Sequence, residues 1–266
     1  MVSTLLARGM IVGILAGLLC FGLLRIIGEP QVNAAITFET QLDHAKEVAT
    51  AQALIAKGSP VPQKMEMPEL VSRPVQAGIG LFTAVMVYSV AFGGLFALTY
   101  ACAYGRMGNF DARTTAVLLA ILGLVAVYVV PILKYPANPP AVGDPETIGA
   151  RTALYFGMVA ISLAAMIAAV TLRLRLLPRL GPWNAFLIAA GAYLIVVVVA
   201  GFVLPPVNEV PAAFPAVVLW RFRIASLGGQ VVMWMTFGFA FGALTERAAA
   251  RASRPRARVP GRARHA

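Results

Sequence analysis

Three acidic residues in this chain stand beside prolines where long apolar runs give out. They are Glu29 before Pro30, Asp144 before Pro145, and Glu209 two positions before Pro211. Asn138 and Asn208 lie in the second and third of these stretches and add neutral oxygen donors. Carboxylate, amide and carbonyl oxygens gathered at one surface attract a divalent cation, which makes Glu29, Asp144 and Glu209 candidate metal contacts. Two other chemistries use the same residues. Proline stops a helix and restricts the residue before it, and an acidic side chain suits the first turn of the next helix. Alternatively Arg151, Arg221 and Arg223, in the same segments, pair with the carboxylates and compete with any metal. A second group is Glu39, Asp43 and Glu47, spaced four apart, with His44 near Glu47. On a helix these acids share a face, and an imidazole beside them makes a weak first-contact site for a transition metal. The plain alternative is a solvated acidic face.

The elements that hold these residues are six apolar runs, at about 5–27, 77–104, 115–133, 153–172, 184–204 and 226–244, in a chain with only 12% charged residues. Each run has roughly 19 residues or more, enough to cross a hydrocarbon layer roughly 30 Å thick. Lipid cannot satisfy backbone N–H and C=O groups, so the runs must be helices. The expected fold is all-α: a polytopic integral membrane protein with about six transmembrane helices in a membrane domain, 1–244. One long extracytoplasmic loop, 28–76, carries an amphipathic helix over 33–57. There Ala35, Phe38, Leu42, Ala45 and Ala49 recur at steps of three and four. A basic cytoplasmic tail follows over 245–266, without the periodicity of a folded element.

Basic residues set the orientation. With the N-terminus in the cytoplasm, the inner side holds Arg8, Arg106, Arg113, Arg173, Arg175 and Arg179. It also holds the tail residues Arg247, Arg251, Arg254, Arg256, Arg258, Arg262 and Arg264, which makes 13 of the 22 basic residues. The inner loops are short and densely basic, so the positive-inside rule places both termini in the cytoplasm. Acidic residues agree: only Asp111 and Glu246 fall inside. The Arg-rich tail lacks aromatic interleaving and follows directly on a membrane helix. Anionic lipid headgroups are therefore its expected partner, not nucleic acid. The first run resembles a signal peptide in its charge pattern, but Arg25-Ile26-Ile27-Gly28-Glu29-Pro30 offers no small-residue cleavage site, so it reads as a retained helix.

Gly9, Gly13 and Gly17 in the first run, and Gly238 and Gly242 in the last, have the four-residue spacing that lets helix backbones approach closely. Cys20 and Cys102 differ in depth by roughly 13 Å, too far for a disulfide, and read as two buried thiols. No run carries an acidic, basic or histidine residue at its centre, so the usual mark of a proton relay is missing. The sequence has no Walker A loop, dinucleotide fingerprint, Cys/His cluster or nucleophile–base pair, which argues against an enzyme. His265 lies in the tail and has no assigned role.

Two strings are distinctive. One runs from Val129-Val130-Pro131 through Lys134-Tyr135-Pro136-Ala137-Asn138-Pro139-Pro140 to Gly143-Asp144-Pro145-Glu146-Thr147-Ile148-Gly149. The other runs from Leu204-Pro205-Pro206-Val207-Asn208-Glu209-Val210-Pro211 through Phe214-Pro215 to Leu219-Trp220-Arg221-Phe222-Arg223. With Gly28-Glu29-Pro30, Glu39, His44 and Val71-Ser72-Arg73, they resemble the CbtA family of probable cobalt transporter subunits over nearly the whole chain up to Leu244. The resemblance implies a bacterial inner-membrane protein linked to cobalt uptake for cobalamin biosynthesis, with Co2+ as the transported ion and no permanently bound cofactor. It also implies a small, single-helix, His-rich CbtB-type partner. Members of the family are usually described with about five helices and with more histidine in the first loop. This chain has six apolar runs and only His44 there.

Overall fold

The computed structural model describes residues 2–60, 71–140 and 142–252, and its long elements are all helices. Lys64, Glu66, Glu69, His265 and the tail arginines from Arg254 onward lie outside the described residues. Among those described, five helical segments are long and apolar enough to cross a membrane. They are α1 (Val2–Ala56), α2 (Arg73–Ala103), α3 (Ala112–Lys134), α4 (Pro145–Val203) and α5 (Ala216–Arg251).

The first correction concerns Gly28-Glu29-Pro30, which does not end a helix. At 55 residues, α1 is about 80 Å long, far more than the hydrocarbon thickness. It passes Pro30 through a π-helical turn, Leu24–Gly28, in which the Glu29 N–H reaches back five residues to the Leu24 carbonyl. One extra residue in the turn relieves the clash between the proline ring and the preceding turn. The same device precedes Pro131 in α3: the Val130 N–H bonds to the Val125 carbonyl across the π turn Val125–Val129. Residues 29–56, expected as loop followed by a separate helix, are therefore a helical continuation of α1.

The stripe expected on this arm is used only at its base. Ala35 is fully buried, with Val142 and Phe214, and Phe38 meets Phe214 edge-on at 5.1 Å. Leu42 is half-buried, and Ala45 and Ala49 are exposed.

The fourth segment, α4, spans 59 residues as two helices joined at a kink, with Gly181 (φ 73°, ψ 171°) between Pro178 and Pro182. That conformation is accessible essentially to glycine alone. Its two arms, 148–180 and 182–203, fold against each other. Ala165 and Ala169 of the first pack with Ala189, Tyr193 and Val197 of the second, and with Val130 and Tyr135 of α3.

The remaining helices α1, α2, α3 and α5 share a second core around Ala16, Phe96, Ala97, Tyr100, Ala116, Ala120, Trp234, Phe237 and Phe241. Gly9, Gly13 and Gly17 bring α1 onto α2. A Cβ at Gly13 would lie 2.6 Å from the Ser89 carbonyl oxygen. At α5, Gly238 and Gly242 face Ala120 and Ala116 of α3. Outward-facing Ile11, Leu18, Val87, Leu95, Ile195 and Phe202 are exposed, as lipid contact requires. Cys20 is buried, but Cys102 is exposed, so only one of the two thiols is enclosed by the bundle.

Candidate functional site: the clasped loop end

One end of the bundle is built from the exit of α1, the start of α2, the α3–α4 connection and the α4–α5 connection. The helices deliver their polar residues there because apolar side chains fill the runs below. Among the described residues, three clasps between a guanidinium and an oxygen group hold this end together.

In the first, Glu29 of α1 is only 6% exposed and forms a salt bridge with Arg73, the first residue of α2. Arg73 Nε also donates to Asn33 Oδ1 at 3.0 Å. One arginine thus binds two successive turns of α1 and spans the residues between α1 and α2. In the second clasp, Arg223 of α5 donates from Nη2 to Asn138 Oδ1 at 2.9 Å and from Nε to the Ala137 carbonyl at 3.2 Å.

The third clasp centres on Glu209. Its Oε1 accepts from Thr147 Oγ1 at 2.7 Å, its Oε2 accepts from the Asp144 N–H at 2.9 Å, and Arg151 Nε lies 3.2 Å from Oε2. Arg151 Nη2 donates to the Asp144 carbonyl at 3.0 Å. Gly143 sits at φ 110°, and a Cβ there would collide with the Arg151 guanidinium, so glycine permits this close approach. The hydrogen bonds from Thr147 and Asp144, then the nearby Arg151 charge, hold the Glu209 carboxyl below its ordinary range. Tyr135 adds a fourth tie between the two connections, donating from its hydroxyl to the Pro205 carbonyl at 2.9 Å.

The candidate residues are therefore distributed as follows. Asp144 and Glu209 come together, but through backbone: the Asp144 side chain instead accepts from the Glu146 N–H at 2.9 Å, capping the short turn that opens α4. Glu29 has its own arginine. Asn138 is engaged by Arg223, and Asn208 is exposed. Glu39, Asp43, His44 and Glu47 are exposed on the projecting part of α1, and Asp43 pairs with Lys46 at 3.6 Å. His44 lies 15 residues beyond Glu29, about 22 Å along the helix. Among the described residues no three His, Cys, Asp or Glu side chains gather as a metal-binding group.

As it stands, this end does structural chemistry: two of the three carboxylates are matched by a guanidinium, and a cation would have to displace an arginine to reach either. Arg73 was the partner that sequence reasoning missed. The signal was present in Arg73-Pro74, a helix start placed beside the exit of the first run. At the other end, Asp111 caps α3 by accepting from the Thr114 N–H at 2.7 Å, which lowers its pKa, and Arg113 faces Glu246 at 3.9 Å.

A family model described as "Probable cobalt transporter subunit (CbtA)" matches residues 2–246. No curated protein and no solved structure matches the chain.

Proposed function

The chain belongs to the CbtA family, and from that premise we propose that it is the multi-pass subunit of a Co2+ uptake system serving cobalamin biosynthesis. The family description names a transporter subunit, which points away from enzymatic activity and implies at least one partner. In this reading the partner is a small, His-rich CbtB-type protein that supplies stronger nitrogen ligands than His44 alone. The membrane is the bacterial inner membrane, and both termini lie in the cytoplasm.

Six crossings suit this reading, with the arms of α4 counted separately. The clasped end then faces outward and the Arg-rich segments face the anionic inner leaflet. The projecting arm of α1 would present Glu39, Asp43, His44 and Glu47 as a weak first contact that raises the local cation concentration. Glu29, Asp144 and Glu209 would contact the ion only when the arginine clasps open. The membrane potential supplies about 4.6 kcal/mol for a divalent ion at 100 mV.

The family match over residues 2–246 carries the proposal. Uptake of radiolabelled Co2+ by cells expressing this chain, with and without the small partner, tests it. Accumulation above the empty-vector background supports it. No uptake in either case, with the protein correctly inserted, would leave a non-transporting scaffold, which the clasped carboxylates suit.

A further inference from the structure

A cavity of about 300 Å³ lies between α1, α2 and α5, lined by Cys20, Tyr88, Ser89, Ser226, Gln230 and Met233. Cys20 is nine residues before Glu29, so the cavity sits about 13 Å below the clasped end, inside the apolar layer. Every heteroatom here is neutral, which is why a search for intramembrane charges passes over it.

The polar groups are arranged across the cavity rather than along their own helices. Thr99, Thr171 and Thr236 all return their hydroxyls to the carbonyl four residues back, the ordinary habit of a hydroxyl in a helix. Ser89 does not. Its hydroxyl points from α2 to Met233 Sδ on α5, 4.0 Å away, although Ser89 and Met233 are only 1% and 2% exposed. Cys20 crosses from α1 to α5 in the same way, its thiol donating to the Gly229 carbonyl at 3.2 Å. A thioether is a weak acceptor and a thiol a weak donor. Helix-to-helix glue is poorly served by such bonds; Tyr128 and Ser226, at 2.7 Å, show the stronger kind close by. Leu24, which also lines the cavity, opens the π turn Leu24–Gly28, and such turns recur at functional positions.

We propose that this cavity is a coordination station for the transported cation, with Cys20 Sγ and Met233 Sδ as its soft ligands and the Ser89 hydroxyl and Gln230 amide completing the shell. The proposal rests on the transport reading above and adds a selectivity mechanism to it. Mg2+ and Ca2+ require all-oxygen shells, whereas sulfur donors favour softer transition metals. On binding, the Cys20 Sγ–H bond breaks, its proton goes to solvent, and the sulfur lone pair forms the bond to the metal, with no change of oxidation state. A single anionic ligand leaves the ion held weakly enough to move on.

The full-length protein in lipid nanodiscs, titrated with CoCl2, tests the station. A sulfur-to-cobalt charge-transfer band in the near ultraviolet is expected for the wild type and for Cys102→Ser. It should persist in excess MgCl2, disappear in Cys20→Ser and weaken in Met233→Leu, a nearly volume-conserving change that spares the fold. No band in the wild type, or the same band in Cys20→Ser, overturns the station. Labelled Co2+ uptake separates the two ideas. The band without uptake by the wild type, either with or without the small partner, supports metal coordination in this cavity and removes the transport reading. Wild-type uptake left undiminished by both Cys20→Ser and Met233→Leu overturns the station and leaves transport standing.

Discussion

Ser162 and Tyr193, 31 residues apart on α4, share a buried hydrogen bond of 2.9 Å. On a straight helix they would be separated by about 46 Å. The contact therefore fixes a full reversal at Gly181, and it puts Arg173, Arg175 and Arg179 at the end opposite Glu209. In a protein with Cys20 and Cys102 replaced by serine, Ala213→Cys and Trp183→Cys, both at exposed positions, should label from opposite sides of the membrane with an impermeant thiol reagent. Labelling of both from one side would contradict the reversal.

Gly181→Ala tests the same hinge energetically. Any side chain must be held at φ 73°, ψ 171°, a conformation that costs about 1–3 kcal/mol. A lowered thermal transition in detergent is expected. An unchanged transition would mean that the break relaxes without strain.

The Glu29–Arg73 clasp should matter more to stability than a surface pair, because Glu29 is buried and Arg73 is 28% exposed at its side chain. Removing one partner leaves the other charge poorly solvated. Arg73→Gln should destabilise the protein by about 2 kcal/mol, discounted for the solvent that reaches the arginine. Glu29→Gln paired with Arg73→Gln should recover part of the loss. Equal losses for the single and double variants would show that the two side chains act independently.

Acid should loosen the third clasp. The Glu209 carboxyl is held below its ordinary value in the folded protein. Its stabilising contribution is therefore complete above the ordinary carboxylate range and is lost as pH falls through the depressed folded value. Thiol labelling at Pro140→Cys, an exposed site in the α3–α4 connection, should quicken across that acidic interval. In Glu209→Gln the same labelling should be fast at neutral pH and lose most of this pH dependence. A pH profile identical to that of the parent would remove Glu209 from the account.

Close packing of α1 on α2 predicts a sharp contrast among glycines. At Gly13 a side chain meets the Ser89 and Val90 backbone, which cannot yield as a flexible chain end can. Gly13→Leu should cost about 3 kcal/mol or more through overpacking. Gly22 has nothing within 4 Å of a would-be Cβ, so Gly22→Ala should be neutral or gain about 0.5–1 kcal/mol from helix propensity. Comparing the two thermal transitions checks this, and similar losses would argue against the close crossing.

How far the sequence determined this protein differs by scale. Apolar run length by itself dictated the all-helical, membrane-length elements, because hydrocarbon leaves the backbone no other partner. The distinctive strings around Asn138 and Glu209 carried the family. Two decisions belonged to tertiary structure. Pro30 reads as a helix end, yet the helix continues, since a π turn, of the kind that also precedes Pro131 in α3, is a cooperative backbone adjustment that local propensity does not encode. The acidic residues at the apolar exits read equally well as caps, metal contacts or ion-pair partners. Only the packed bundle set Glu29 beside Arg73 and Glu209 beside Arg151, pairings that span 44 and 58 residues of chain. Short-range patterns record what each segment prefers; which charge meets which is settled when the helices dock and solvent is excluded between them.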